Sequence, residues 1–269
     1  MSSDLQIIAK FEARPTKIIV GLSGWPNAGN VATYAVEYLR RKMEAKKVAE
    51  IDSAPFYNFL IQRPNVRIED GLIKEHSFPK NEVFLSTRKQ RSSVLILSGD
   101  EPHMNWLRYI EALLSLARSK KIEMICLLGG LVDTATRRIE PAVSGLANSE
   151  ELVKTLRNQK ISLSEYSGPG SIHSLVLFES AKRKIPALSL WGHVPEYIQD
   201  TYPVAVYGVL QRLQQIMEID VDLSDLKRES DSFARKLARL MKKDRRLSGF
   251  IESHDGQGRK GESKPRYIG

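Results

Sequence analysis

Short apolar runs alternate along this chain with longer stretches in which apolar residues recur every three to four positions. The runs typical of buried strands cover residues 17–22, 93–97, 122–128, 161–163 and 185–191. The helical stretches begin near residue 30, near residue 106 and at residue 172. Nearly continuous apolar strands that alternate with helices predict a three-layer α/β fold, with a mostly parallel central sheet and helices on both faces.

Two segments depart from this alternation. Residues 66–87 contain short alternating stretches separated by Asp70-Gly71 and by Pro79 to Asn81, which predicts antiparallel strands at an edge of the sheet. Residues 223–246 read as a C-terminal helical extension. Its apolar residues follow a coiled-coil-like spacing: Leu223, Leu226, Phe233, Leu237 and Leu240. This apolar stripe is too short to form a stable coiled coil by itself. We expect the helix to pack on the preceding helix or on another subunit.

The charge is concentrated at the C-terminus. The 269 residues carry 41 Lys and Arg against 32 Asp and Glu, a net charge of +9. Residues 227–269 hold thirteen of the cations and six of the anions, so +7 lies there and +2 remains for residues 1–226. This distribution argues against a basic groove for nucleic acid on the folded body. We expect an α/β core (1–200), a helical segment (201–246) and a disordered basic tail (247–269).

The sequence also indicates a compartment. Cys126 is the single cysteine and lies in an apolar run, so it cannot form an intramolecular disulfide and is expected to be buried. The first residues lack the pattern of a secretory leader, and the apolar stretches are far shorter than the ~20 residues that span a bilayer. We therefore expect a cytoplasmic protein with no membrane segment.

Three loops are expected at the carboxyl edge of the sheet, where α/β proteins bind ligands. Their candidate ligand-binding residues are Gly24, Trp25, Asn27, Gly29 and Asn30 in the first loop, Gly130 and Arg137 in the second, and Gly168 and Gly170 in the third. The first loop is neither a phosphate-binding P-loop nor a G-x-G-x-x-G motif. The alternative is structural: the glycines and Pro26 shape tight connections, the asparagines cap a helix, and Arg137 pairs with a nearby carboxylate.

Other chemistry is poorly supported. A hydrolase would use Ser23 or Ser171 as nucleophile, His173 as base and Asp133 as its orienting acid, but there is no G-x-S-x-G elbow. The five histidines show no metal-ligand spacing, so neither a metal nor a cofactor is expected. The tail ends in Tyr267, Ile268 and Gly269, which suit a short docking peptide with a captured carboxylate or else form an undifferentiated terminus.

Taken in order, four segments resemble the proteasome assembly chaperone 2 family, in its prokaryotic branch. They are 21–39 (GLSGWPNAGNVATYAVEYL), 129–147 (GGLVDTATRRIEPAVSGLA), 168–198 (GPGSIHSLVLFESAKRKIPALSLWGHVPEYI) and 200–226. The resemblance implies a fold similar to nucleoside phosphorylases, a homo-oligomer, and no established catalytic residues. Some relatives act as chaperones of 20S proteasome assembly and end in a hydrophobic-Tyr-X tripeptide that inserts between α-subunits. Here Tyr267 stands one place earlier than in that tripeptide.

The resemblance therefore favours a non-catalytic, proteasome-assembly-chaperone-like protein that binds itself and proteasome α-subunits or another protein complex. The alternative is a binder of a small phosphate, nucleotide or carboxylate, or an ATP-grasp-like carboxylate-amine ligase, acting through the three loops. The glycine-rich lid and magnesium carboxylates of such a ligase are not recognisable in the sequence.

Overall fold

A computed structural model describes residues 3–9, 13–86, 93–133 and 141–243. Eleven strands are found in these ranges: β1 (Leu5–Ile7), β2 (Pro15–Ser23), β3 (Lys46–Ile51), β4 (Asn65–Glu69), β5 (Leu72–Ser77), β6 (Asn81–Leu85), β7 (Ser93–Asp100), β8 (Met124–Asp133), β9 (Val143–Ala147), β10 (Ser162–Leu163) and β11 (Ala187–Pro195). The α-helices in the same ranges are α1 (Val31–Lys42), α2 (Trp106–Ser119), α3 (Glu150–Asn158), α4 (Ile172–Lys182), α5 (Pro203–Met217) and α6 (Ser224–Lys243).

The main sheet has nine strands in the order β1-β3-β6-β7-β2-β8-β11-β9-β10. Its four central strands, β7, β2, β8 and β11, are parallel neighbours, and β6 and β9 flank them in antiparallel orientation. The parallel centre predicted from the apolar runs is confirmed, and each of these strands contains at least four consecutive buried residues.

Helices cover both faces of this sheet, which confirms the three-layer α/β fold. Along β2, Ile18 and Val20 belong to the core beneath α2 and α4, whereas Ile19 between them belongs to the core beneath α1 and α5. Successive strand residues point to opposite faces, so a run that is apolar at every position supplies both cores at once. Cys126 is fully buried in the core beneath α1 and α5, and burial raises the pKa of its thiol.

The antiparallel pairing predicted for residues 66–87 is confirmed, but its place in the fold differs. β4 and β5 form a separate two-stranded sheet, and β6 lies inside the main sheet between β3 and β7. Asp70 and Gly71 connect β4 to β5 with φ angles of 51° and 74°. Positive φ at both central residues of a two-residue loop is the geometry that the Asp-Gly pair favours in hairpins.

The C-terminal helix packs on the body. In α6, Leu226 and Leu237 are buried in the same core as α1 and α5, whereas Leu240 is 52% exposed. Tyr38 of α1 donates its hydroxyl hydrogen to Asp225, and Lys42 forms an ion pair with that carboxylate at 2.8 Å. These polar contacts lower the pKa of Asp225 and fix the start of α6 on α1.

Four elements were not predicted from the pattern: β1, β3, β9 and α3. β3 carries charged side chains at Lys46, Lys47 and Glu50, which lie near the edge of the sheet and are partly exposed. β9 is short and contains Gly145, so neither strand has the continuous apolar character that marks the central ones. Within the described residues, no helix is both long and apolar enough to cross a membrane.

Candidate functional site

The parallel strands bring the predicted loops to one edge of the sheet. Ser23 at the end of β2 is the register partner of Asp100 at the end of β7, and Asp133 at the end of β8 is the partner of Pro195 at the end of β11. The first loop follows β2, and the second follows β8. The first and second loops therefore lie at the same edge of the sheet.

The asparagines of the first loop are engaged within the protein. The Oδ1 atom of Asn27 accepts hydrogen bonds from the backbone N–H groups of Ala32 at 2.9 Å and Thr33 at 3.1 Å. This bonding satisfies donors in the first turn of α1 that have no partner within the helix. Asn30, with a φ of 54°, donates from Nδ2 to the Thr201 hydroxyl at 3.0 Å. The N-terminus of α1 is therefore capped from inside the protein.

Gly29 and Gly130 allow the first loop to pack closely against the sheet. The N–H of Gly130 donates to the carbonyl of Pro26 at 2.8 Å, and a Cβ atom at Gly130 would lie 2.1 Å from the carbonyl oxygen of Ala28. A Cβ atom at Gly29 would lie 2.9 Å from Cγ2 of Val194. At both positions the backbone approaches more closely than a side chain permits.

Glu101 links the first loop to the third. Its Oε2 accepts from the N–H of Trp25 at 3.0 Å, and its carboxylate also accepts from the N–H of Ile172, the first residue of α4. A Cβ atom on Gly24, whose φ is 92°, would lie 2.9 Å from Cβ of Glu101. Burial raises the pKa of Glu101, although both backbone donors oppose that shift. The anion position at the start of α4 is thus taken by the protein's own carboxylate.

The remaining predicted loop residues make local contacts or lie outside the described ranges. The hydroxyl of Tyr166 donates to the carbonyl of Pro169 at 3.1 Å, and a Cβ atom at Gly168 would lie 2.3 Å from that hydroxyl. The nearest atom to a Cβ at Gly170 would be Cβ of Ser174, at 3.7 Å. Arg137 of the second loop and the tail residues 267–269 lie outside the described residues. The structure thus joins the first loop to Gly130 directly and to the start of α4 through Glu101.

The hydrolase constellation considered from the sequence is not assembled. His173 is fully buried, and its Nδ1 bonds to the hydroxyl of Ser189 at 2.9 Å. Its ring packs against Trp191 with centroids 4.7 Å apart and an interplanar angle of 48°. Burial lowers the pKa of His173 to about 3, so the ring is neutral at physiological pH. Asp133, the expected orienting acid, bonds to a different histidine, His193.

Asp133, His193 and Ser144 form a second polar chain, which sequence reasoning missed because Ser144 lies on the unpredicted strand β9. Nδ1 of His193 lies 2.6 Å from Oδ2 of Asp133, and its Nε2 lies 2.9 Å from the hydroxyl of Ser144. The order resembles a catalytic triad. Ser144, however, is only 6% exposed, and β9 is paired on both sides, so its backbone is engaged in the sheet. We interpret the chain as a tether between β8, β11 and β9.

Within the described part of the chain, no group of three or more His, Cys, Asp and Glu side chains is arranged to hold a metal ion. The polar groups that do cluster at the carboxyl edge are instead bonded to one another. The chemistry of this edge is therefore that of internal hydrogen bonding.

The hairpin of β4 and β5 differs from this polar edge, because it exposes apolar side chains to solvent. Four of its aliphatic side chains are more than half exposed: Val66, Ile68, Leu72 and Ile73. The charge of Arg67 is paired within the hairpin, because it bonds to Glu69 and, at 2.5 Å, to Glu75. Two further exposed aliphatic residues, Leu60 and Ile61, precede its base. Exposed apolar side chains concentrated on one element are a feature of protein-binding sites.

The fold and this surface define a three-layer α/β protein with a packed sheet and one projecting apolar hairpin. The chain belongs to the PAC2 family, whose model matches residues 21–241. Among curated proteins no relative matches the sequence.

Solved structures agree with this assignment. A proteasome-assembly chaperone homologue from Mycobacterium tuberculosis is 26% identical, with a TM-score of 0.78 over 87% of this chain and 99% of that one. A PAC2 family protein from Streptomyces avermitilis is 24% identical, with a TM-score of 0.75 over the same shares. An archaeal proteasome activator from Pyrococcus furiosus is 18% identical, with a TM-score of 0.69 over 88% of this chain and 97% of that one. The latter two show the fold alone.

Proposed function

We propose that this protein is a non-catalytic, proteasome-assembly-chaperone-like protein that works by binding other proteins and itself. Membership of the PAC2 family and the likeness to a proteasome-assembly chaperone homologue support a chaperone-like role. The observation that carries the proposal is the exposed aliphatic surface of the β4–β5 hairpin. The proposed partner is the proteasome α-subunit or another protein complex with a complementary apolar groove.

The hairpin suits protein binding because it is a two-stranded sheet whose apolar side chains are exposed to solvent. An isolated two-stranded sheet is marginally stable in water, and covering its apolar side chains would remove that surface from solvent. Ile68 and Ile73 are cross-strand neighbours that are 60% and 69% exposed. At about 25 cal/mol per Å² of apolar surface, burial of such a pair against a partner contributes substantially to affinity.

Binding to immobilised proteasome α-subunits tests the proposal. The double variant Ile68→Thr with Ile73→Thr keeps β-branched residues in the strands but removes apolar surface, so we expect binding to weaken by about tenfold or more. Lys74→Thr is the matched control, because Lys74 is an exposed hairpin residue that adds no aliphatic side chain. The control should bind like the unmodified protein.

The tail is tested separately. A chain that ends at Ser263 lacks Tyr267, Ile268 and Gly269, and comparison with the full chain measures whether the terminal residues add affinity. Retention of neither chain by the α-subunits would contradict the chaperone proposal. Equal retention of both would leave the hairpin as the binding surface and exclude the tail.

Self-association is the second part of the proposal. Light scattering coupled to size exclusion should give a mass that is a multiple of the 30.4 kDa chain. A monomer at all concentrations would contradict the homo-oligomer while leaving the α-subunit experiment to decide the chaperone role. A multimer that the Ile68 and Ile73 variant dissociates would place the self-interface on the hairpin.

A further inference from the structure

A cleft opens where adjacent central strands send their helices to opposite faces. β2 continues into α1, which belongs to one core, and its parallel neighbour β7 leads to α2, which belongs to the other. In open α/β sheets this reversal leaves a crevice outside the carboxyl ends of the strands, and ligands bind there. A cavity of about 520 Å³ occupies this place, bordered by Ser23 and Asp100. Its size lies within the range of small-molecule sites, roughly 300–1,000 Å³.

The described residues that line this cleft differ from those predicted as a ligand site. The first two of the predicted loops follow β2 and β8, and the third precedes α4. The cleft instead lies between β2, β7 and the base of the β4–β5 hairpin. Its remaining polar lining includes Thr33 of α1 and Asn65 at the start of β4. The cleft therefore lies at the same carboxyl edge, at the ends of β2 and β7, and has its own set of lining residues.

The cleft combines two cations with one carboxylate. Arg63 and Lys80 line it, and among the described residues neither has a carboxylate within ion-pair distance. Asp100 is the acidic residue of the lining, and its Oδ1 accepts a hydrogen bond from the Ser23 hydroxyl at 2.5 Å. Within the described part of the chain, both cations are therefore left to donate charge-assisted hydrogen bonds to an anion.

Asp100 is held by a buried network behind the cleft. The hydroxyl of Tyr57 donates to the backbone carbonyl of Asp100 at 2.6 Å, Asn81 donates to the oxygen of Tyr57, and the hydroxyl of Tyr109 donates to Asn81 at 2.8 Å. Asn81 is 1% exposed, and Gly99 leaves room for it, because a Cβ atom there would lie 2.2 Å from its Oδ1. Burial raises the pKa of both tyrosines, so their hydroxyls remain donors. This network thus fixes the backbone of Asp100, and the Ser23 hydroxyl holds its carboxylate by a hydrogen bond before any ligand arrives.

We infer that this cleft binds a small organic phosphate that also carries hydroxyl groups, such as a sugar phosphate. Arg63 and Lys80 hold the phosphate oxygens by charge-assisted hydrogen bonds, and the carboxylate of Asp100 accepts hydrogen bonds from ligand hydroxyls. The inference does not depend on the chaperone proposal. Because Asn65 and Ser77 of the hairpin strands also line the cleft, a bound ligand contacts the base of the hairpin.

Isothermal titration of the full chain with ribose 5-phosphate, inorganic phosphate and ribose tests the inference. We expect saturable binding of ribose 5-phosphate, weaker binding of phosphate and the weakest binding of ribose. Arg63→Gln and Lys80→Gln should each weaken binding of both phosphates by about tenfold, as loss of one charge-assisted hydrogen bond predicts. Asp100→Asn should reduce the advantage of ribose 5-phosphate over phosphate, because it removes an acceptor for the sugar.

Lys74→Gln is the matched control, since it removes an exposed cation of the hairpin that does not line the cleft. Its binding should equal that of the unmodified protein. Absence of saturable binding for both phosphates would overturn the inference. So would an equal loss of affinity in Lys74→Gln and in the two cleft variants, since that result means attraction by net charge alone. A protein that binds phosphate but retains no α-subunit would keep the cleft and remove only the chaperone proposal.

Discussion

Strand β2 and the β4–β5 hairpin contain similar side chains and have opposite environments. Ile19 of β2 is completely buried, with β7 on one side and β8 on the other, whereas Ile68 of β4 is 60% exposed and its strand pairs only with β5 among the described residues. Both segments are rich in β-branched residues. The difference is that β2 is covered by helices on two faces and the hairpin is not.

This comparison separates strand formation from burial. β-branched and aliphatic residues fit an extended strand wherever it lies, and the Asp70-Gly71 turn closes a hairpin without help from the rest of the fold. Burial requires a second layer, which depends on residues far away in sequence. The hairpin forms its strands without that second layer, so its aliphatic side chains stay exposed to solvent.

The largest expected effect comes from truncation of the buried isoleucine. Ile19→Ala should lower the free energy of unfolding by about 2–5 kcal/mol, because it removes apolar contacts and leaves a cavity in a packed core. Ile68→Ala should change it by no more than about 0.5 kcal/mol, since its side chain is already largely in solvent. Urea unfolding of the two variants measures both values. Similar losses would show that the hairpin is buried in solution, for example in an oligomer.

The second prediction compares two glycines. Gly130→Ala would bring a Cβ atom to 2.1 Å from the backbone oxygen of Ala28, so the first loop must shift, and we expect a loss of about 1–3 kcal/mol. At Gly71 no atom lies within 4 Å of the new Cβ, and only the positive φ of 74° opposes the change, at about 1 kcal/mol. Thermal unfolding should show the larger shift for Gly130→Ala. A larger shift for Gly71→Ala would mean that the first loop does not pack tightly against β8.

The smallest effect concerns Glu101, which joins the packed loops. Glu101→Gln loses charge assistance in the bonds from Trp25 and Ile172 but also removes the cost of a buried charge, so at neutral pH the net change should be about 1 kcal/mol or less. Because burial raises the folded pKa of Glu101, the folded state binds a proton more tightly than the unfolded state. The unmodified protein should therefore gain stability relative to the variant as the pH falls from neutral toward 4.5, its ordinary pKa.

Urea unfolding of both proteins across that pH interval measures the difference, and the comparison removes the contributions of other acids that titrate equally in both. A difference that is constant with pH would contradict the shifted pKa. If the unmodified protein instead gains relative stability as the pH rises, the pKa of Glu101 is lowered in the folded state. Hydrogen bonding would then outweigh desolvation at Glu101.

The candidate site was predicted only in part. The glycines of the first loop and Gly130 meet at one edge, as parallel strands require, and Asn27 serves as the helix cap that the sequence offered as an alternative. Glu101 was missed, because nothing in its local sequence shows that its carboxylate lies beside the N–H of Ile172. The cleft with Arg63 was missed for the same reason, since strands, a helix and loops from separate parts of the chain form it.

The sequence by itself determined the alternation of strands and helices, the Asp70-Gly71 turn and the family, because each is encoded in local spacing or in contiguous motifs. Tertiary structure alone decided that β6 lies inside the sheet, that the hairpin stands outside it, and that Asp133 bonds to His193 instead of His173. The physical reason is the same in each case. Periodicity reports which face of an element is apolar, whereas strand order and long-range contacts depend on how all the elements pack together.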